Sequence, residues 1–151
     1  LEMETVQIEG IDSTERVTRG DLGDRAQLVI KEKLMTSGTQ HATTKFEVDL
    51  NGVGCSANVM SRSVAKGNSQ QTFYSRIDGN SPCAGHSECD AIIMEQANVK
   101  AVPEINANHV DASLIHEAAI GKIAGEQITK LMTLGLSQEE AEAEIVHGFL
   151  K

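Results

Sequence analysis

The sequence predicts a mainly β chain that finishes in a helical hairpin, and three observations carry that expectation. From Thr5 to about Ile115, short runs rich in β-branched residues alternate with clusters of Gly, Asn, Asp and Ser. After Gly121 the apolar residues change to helical spacing. Aromatic residues are scarce, with one tyrosine, three phenylalanines and no tryptophan, so Val, Ile, Leu, Met and Ala must fill the core. A narrow interior suits such residues.

Along the chain the strand candidates are Thr5 to Ile8, Arg25 to Met35, Thr43 to Leu50, Ala57 to Val64, Gln71 to Ile77, Ala91 to Glu95, Val99 to Ile105 and Val110 to Ile115. The clearest is Lys45-Phe46-Glu47-Val48-Asp49-Leu50, where apolar residues fall on even positions and charges on odd ones, giving one buried and one wet face. Turn signals this dense fit a sandwich, a barrel or a β-solenoid. No clean fixed-length repeat singles out the solenoid. In the helical part, Ile123, Ile128, Leu131, Met132 and Leu134 form a stripe that Gly135 is placed to end. Ser137 with Glu140 three positions later is a capping box opening a second helix, which carries Ala141, Ile145, Val146, Phe149 and Leu150. The unit boundaries expected are 1–120 for the β part and 121–151 for a helical hairpin packed on it.

Composition excludes several functions. At 151 residues with 40% hydrophobic and 23% charged residues, the chain is one globular unit. Its net charge of -9 repels a phosphate backbone, and no basic cluster offsets it, so nucleic acid is not an expected partner. Glu139, Glu140, Glu142 and Glu144 read as a solvated helix face. No apolar run approaches the ~20 residues of a membrane span and no signal peptide is evident, so a soluble, cytoplasmic protein with no membrane partner is expected. Because the chain starts at Leu1 rather than Met, it reads as a processed or excised piece of something longer.

One segment concentrates chemistry. Ser81-Pro82-Cys83-Ala84-Gly85-His86-Ser87-Glu88-Cys89-Asp90 holds two thiols, an imidazole and two carboxylates, donors suited to iron, zinc or copper. A second ligand group would come from the stretch containing His109, Asp111, His116 and Glu117. On an unbroken strand His116 and Glu117 point to opposite faces, so both bind one metal only at a strand end or bulge. The competing reading makes Cys89 a core residue and the polar groups turn residues. Cys55 reads as a small buried hydrophobe, and His41 and His147 as surface residues. A Cys89-His116-Asp111 hydrolase lacks any surrounding family signature. No phosphate-binding glycine loop occurs, so nucleotide hydrolysis by this chain is not expected.

Gly85-His86-Ser87-Glu88-Cys89-Asp90-Ala91-Ile92-Ile93 resembles the Cys-Asp element of the SufB/SufD family, followed by its apolar strand. Pro103-Glu104-Ile105 resembles the family's Pro-x-Ile element, and His116-Glu117-Ala118-Ala119-Ile120-Gly121-Lys122-Ile123 its His-Glu-Ala signature. Glu126-Gln127-Ile128, the run from Leu131 to Ala141, and Ile145-Val146-His147-Gly148-Phe149 continue the match through the terminal hairpin. Residues 1 to 80 fit only as generic strands.

The resemblance implies a right-handed parallel β-helix capped by helices. It also implies a noncatalytic scaffold for iron-sulfur cluster assembly, with Cys89, Glu117 and His116 as ligands of a nascent cluster or of iron alone, and Cys83 and His86 as further candidates. SufD-like members typically lack that cysteine and glutamate, so the pattern leans to the SufB side. Implied partners are a SufC-like ATPase docking on the helices, a SufB/SufD-like chain or a second copy forming a dimer, and a sulfur donor protein. The family's further helix beyond Phe149, and its larger β-helix and N-terminal domain, are departures from this sequence. An isolated zinc module remains a third reading.

Overall fold

The structure is a computed structural model and describes residues 1–8 and 10–151. Among these, nine strands precede two helices: β1 (Glu2–Ile8), β2 (Ser13–Leu22), β3 (Gln27–Thr36), β4 (His41–Leu50), β5 (Ser56–Ala65), β6 (Gln70–Gly79), β7 (Cys83–Ile93), β8 (Asn98–Ala107), β9 (Ala112–Gly121), α1 (Gly125–Met132) and α2 (Gln138–Phe149). One sheet runs β1-β3-β5-β7-β9 and the other β2-β4-β6-β8, with every pairing parallel. Parallel neighbours need a crossover. Here a strand of the opposite sheet supplies it each time, so the chain winds as a β-solenoid of about four turns. The sandwich and barrel alternatives are thereby excluded.

The repeat is present but uneven. Registered partners are 27 residues apart from β1 to β3 (Glu2↔Val29), 28 from β2 to β4 (Ser13↔His41) and 29 from β3 to β5 (Gln27↔Ser56). Each turn stacks inward side chains on those of the next: Leu22 on Leu50, Ile30 on Val59, Val48 on Ile77. All six are buried, and each contributes about 1.5–3 kcal/mol relative to exposure. Two phenyl rings, Phe46 and Phe73, pack in the interior, tilted with centroids 5.7 Å apart.

One corner is tied by side-chain amides. Asn51 donates to Asp21 at 2.8 Å, Asn80 to Asn51 at 2.8 Å and Asn108 to Asn80 at 2.7 Å, so successive turns are linked where the chain bends. Beside it, Gly52 lies against the preceding turn. A Cβ there would fall 1.9 Å from the Gly23 carbonyl carbon and 2.0 Å from the Asp24 nitrogen, both backbone atoms that cannot swing away. Gly52→Ala is therefore expected to cost about 3 kcal/mol by forcing two turns apart, read as a fall in the urea midpoint.

Two segments differ from the sequence expectation. β2 was not among the expected strands, because its inward positions before Leu22 are Thr14, Arg16, Thr18 and Gly20, while Val17 faces out and is exposed. Pairing with β4, rather than an apolar stripe, makes it a strand. β7 begins at Cys83 rather than Ala91, so the segment suited to a turn is extended and fully registered on β5. Small inward residues there (Gly85, Ser87, Cys89) hide the alternation.

The hairpin forms as expected. The Ser137 Oγ accepts from the Glu140 amide at 3.2 Å, the Glu140 carboxylate accepts from the Ser137 amide at 2.7 Å, and Gly135 takes φ +100° between the helices. Ala141 of α2 is fully buried. Val146 and Leu150 line, with Val6, Ile8 and Met35, a groove of about 740 Å³. Among the described residues no helix is long and apolar enough to cross a membrane.

Candidate functional site

The two segments singled out by their chemistry become neighbouring strands. β7 and β9 pair with Ser87 opposite His116, Glu88 opposite Glu117 and Cys89 opposite Ala118. Strand alternation then divides the candidates between two faces. Cys83, Ser87, Cys89 and His116 point into the solenoid, while His86, Glu88 and Glu117 point outward. β9 is the last strand of its sheet, so this pairing sits at an open end.

Inside, Cys89 is 1% exposed. Burial, followed by the nearby carboxylates of Asp90 and Glu32, pushes its thiol up to about 12. The group rests as a neutral thiol and must give up its proton to bind metal. His116 is half-buried, and both of its ring nitrogens are enclosed without a hydrogen-bond partner among the described residues. Burial first, and then the charge of His86, lowers its pKa, which keeps the imidazole in the neutral form that ligates metals. An enclosed imidazole with two unsatisfied nitrogens is costly unless something else meets it. Ser75 and Ser87, which share a hydrogen bond of 2.7 Å, add further polarity to the interior.

Outside, His86 Nδ1 lies 3.1 Å from the Asn58 side-chain oxygen, and its Nε2 lies 4.0 Å from the Glu117 carboxylate. Burial, then the hydrogen bond and charge of Asp90, raises the pKa of Glu88. Glu117 itself has 67% of its side chain exposed. The sheet backbone thus stands between Cys89 and Glu117. Cys83 shares the inner face with Cys89 but lies six residues, roughly 20 Å, along the strand. Among the described residues no group of three or more His, Cys, Asp and Glu side chains is close enough to hold a metal ion. The soft thiol and borderline imidazole fit iron chemistry as an incomplete set.

A hydrolase triad does not form. His109 Nδ1 accepts from the Asp111 amide at 3.1 Å and lies 4.0 Å from its carboxylate, so the aspartate sits with His109 while His116 has no orienting partner. A buried ion pair was missed at the sequence level. Glu32, 1% exposed at its side chain, accepts from Arg16 at 2.8 Å, Thr44 at 2.9 Å and Ser61 at 2.8 Å. The signal was its parity, since Glu32 falls on the same face as Leu28, Ile30 and Leu34.

Fold and site together define a parallel β-solenoid followed by a helical hairpin, with a partial set of sulfur and nitrogen donors at its last turns. A family model described as SUF system FeS cluster assembly, SufBD core domain, matches residues 2–149, and the chain belongs to that family. It is 40% identical over 105 residues (68% of this chain, 26% of the relative) to an iron-sulfur cluster assembly SufBD family protein of Methanothermobacter thermautotrophicus. Identity is 39% over 104 residues (68% and 28%) with the one from Archaeoglobus fulgidus. With that of Pyrococcus horikoshii it is 31% over 131 residues (86% and 40%). The chain spans 26% to 40% of the length of these relatives.

Proposed function

We propose that this chain is a noncatalytic scaffold component in which iron-sulfur clusters are assembled as cargo, with Cys89 as sulfur acceptor or iron ligand. His116 is the second internal donor. The observation that carries this reading is the juxtaposition of a buried thiol and a neutral, unpartnered imidazole on adjacent strands at the open end of the solenoid. Glu117 lies on the opposite face, so it completes the set only where the edge strand β9 twists or where a second chain meets it. A partial set on one chain is what a dimer of two such ends would complete, each copy or SufB/SufD-like partner supplying the missing donors. A set with a labile carboxylate holds a cluster weakly enough to pass it on. The sulfur comes from a donor protein, and a SufC-like ATPase docks on the helices. The test is anaerobic reconstitution with ferrous iron and sulfide. Cys89→Ala should take up far less of both than wild type, and equal uptake would remove the site assignment.

The separation of Cys89 from Glu117 favours a second reading, in which the chain only dimerises and docks the ATPase. That reading expects Cys89→Ala to be silent. Ile145→Glu on α2 would then abolish ATPase binding in a pull-down while leaving the melting temperature within a few degrees of wild type.

A further inference from the structure

The sequence groups Cys83 with Cys89 by spacing, and the fold regroups it with Cys55. Ser56 registers on Ala84, and the Ala84 amide donates to the Cys55 carbonyl at 3.1 Å, so Cys55 and Cys83 lie side by side on adjacent turns. Both side chains enter the same apolar cluster, at 1% and 7% exposure, and all three cysteines are free thiols. Neighbouring parallel strands are about 4.8 Å apart, within the about 4.4–6.8 Å between Cα atoms that a disulfide spans. Gly79 leaves room for the sulfur: a Cβ at that position would lie 3.2 Å from Cys83 Sγ. Cys55 sits in the turn before β5 rather than inside a ladder, so its backbone can adjust to closure.

We propose that Cys55 and Cys83 form a redox-active dithiol that closes to a disulfide between two turns of the solenoid when a peroxide reaches Cys83, leaving Cys89 reduced. Cys83, the more exposed of the two, attacks one peroxide oxygen, forming a sulfenic acid and releasing the first water. Cys55 sulfur then displaces the sulfenic hydroxyl, which leaves with the Cys55 proton as the second water. The two thiols lose two electrons and the peroxide gains them. Cys89 has no thiol within reach, being roughly 20 Å from Cys83 along β7. The pairing rests on register alone and is independent of any role in cluster assembly.

The test uses metal-free chain treated anaerobically with a small excess of hydrogen peroxide, followed by alkylation under denaturing conditions and peptide mapping. Cleavage after glutamate cuts at Glu88 and separates Cys83 from Cys89, and tryptic cleavage at Arg62, Lys66 and Arg76 separates Cys55 from Cys83. The expected product is a cross-linked Cys55–Cys83 peptide pair, about 2 Da lighter than the sum of the reduced peptides, with Cys89 fully alkylated. Cys83→Ser should leave Cys55 alkylatable. The bond closes the chain between residues 55 and 83, so the oxidised wild type should melt several degrees above the reduced form. Cys89 in the cross-link, all three thiols alkylated after treatment, or an unchanged melting point would each overturn the proposal.

Discussion

Cys89→Ala, reconstituted anaerobically beside wild type, is expected to retain at least about tenfold less iron and sulfide and to lose the visible absorption of the cluster. The expectation follows from what the interior offers. Cys89 is the thiol on the inner face nearest His116, since Cys83 and Cys55 lie at the other end of β7 and on the preceding turn. An alanine removes the sulfur and leaves His116 as an isolated neutral donor, too weak alone to hold iron. Cys83→Ala is the matched control, because it deletes a thiol from the same strand and face six residues, roughly 20 Å, from Cys89. Its uptake should stay within about twofold of wild type. Circular dichroism of both variants separates loss of ligand from loss of fold.

Arg16→Ala is expected to destabilise the chain by about 3–5 kcal/mol, measured by chemical denaturation, because it strands a buried carboxylate. Glu32 is enclosed, and Thr44 and Ser61 satisfy its oxygens but do not balance its charge. Arg16 supplies that charge and also donates to the Gln7 side chain at 2.8 Å. A domain with about 5–15 kcal/mol of total stability would be near its limit after such a loss. Replacing both partners, Arg16→Met with Glu32→Leu, should recover most of it, since an apolar pair of similar volume removes the unpaired charge. A cost below about 1 kcal/mol for Arg16→Ala would show that the guanidinium does not hold the carboxylate in place.

Much of the fold was legible because strand alternation and helical spacing are local signals. Lys45 to Leu50 shows both faces of β4 in six residues, and Ser137 with Glu140 marks the start of α2 without reference to any other part of the chain. The winding was harder to see, since turns of 27, 28 and 29 residues smear any fixed repeat. One trace of it was available: Asn51, Asn80 and Asn108 recur at the solenoid's own spacing and form its corner ladder. β2 stayed hidden because its inward side chains before Leu22 are polar or absent, so its partner in the sheet defines it.

The candidate site was legible as residues but not as a place. Spacing in Cys83-x-x-His86-x-x-Cys89 suggested one loop-borne cluster, whereas an extended β7 sends the histidine out and the cysteines in. Opposite faces for His116 and Glu117 were deducible from adjacency alone, and β9 keeps them so. Pairing of Cys83 with Cys55 depends on register between turns, which no local pattern encodes.

Anomalous scattering at the iron edge, from crystals of the reconstituted wild-type protein, tests the scaffold reading most directly. Iron is expected within bonding distance of Cys89 Sγ at the open end of the solenoid, with His116 turned toward it. Iron found only on the outer face, bound by His86 and Glu117 with Cys89 still a buried free thiol, would contradict it.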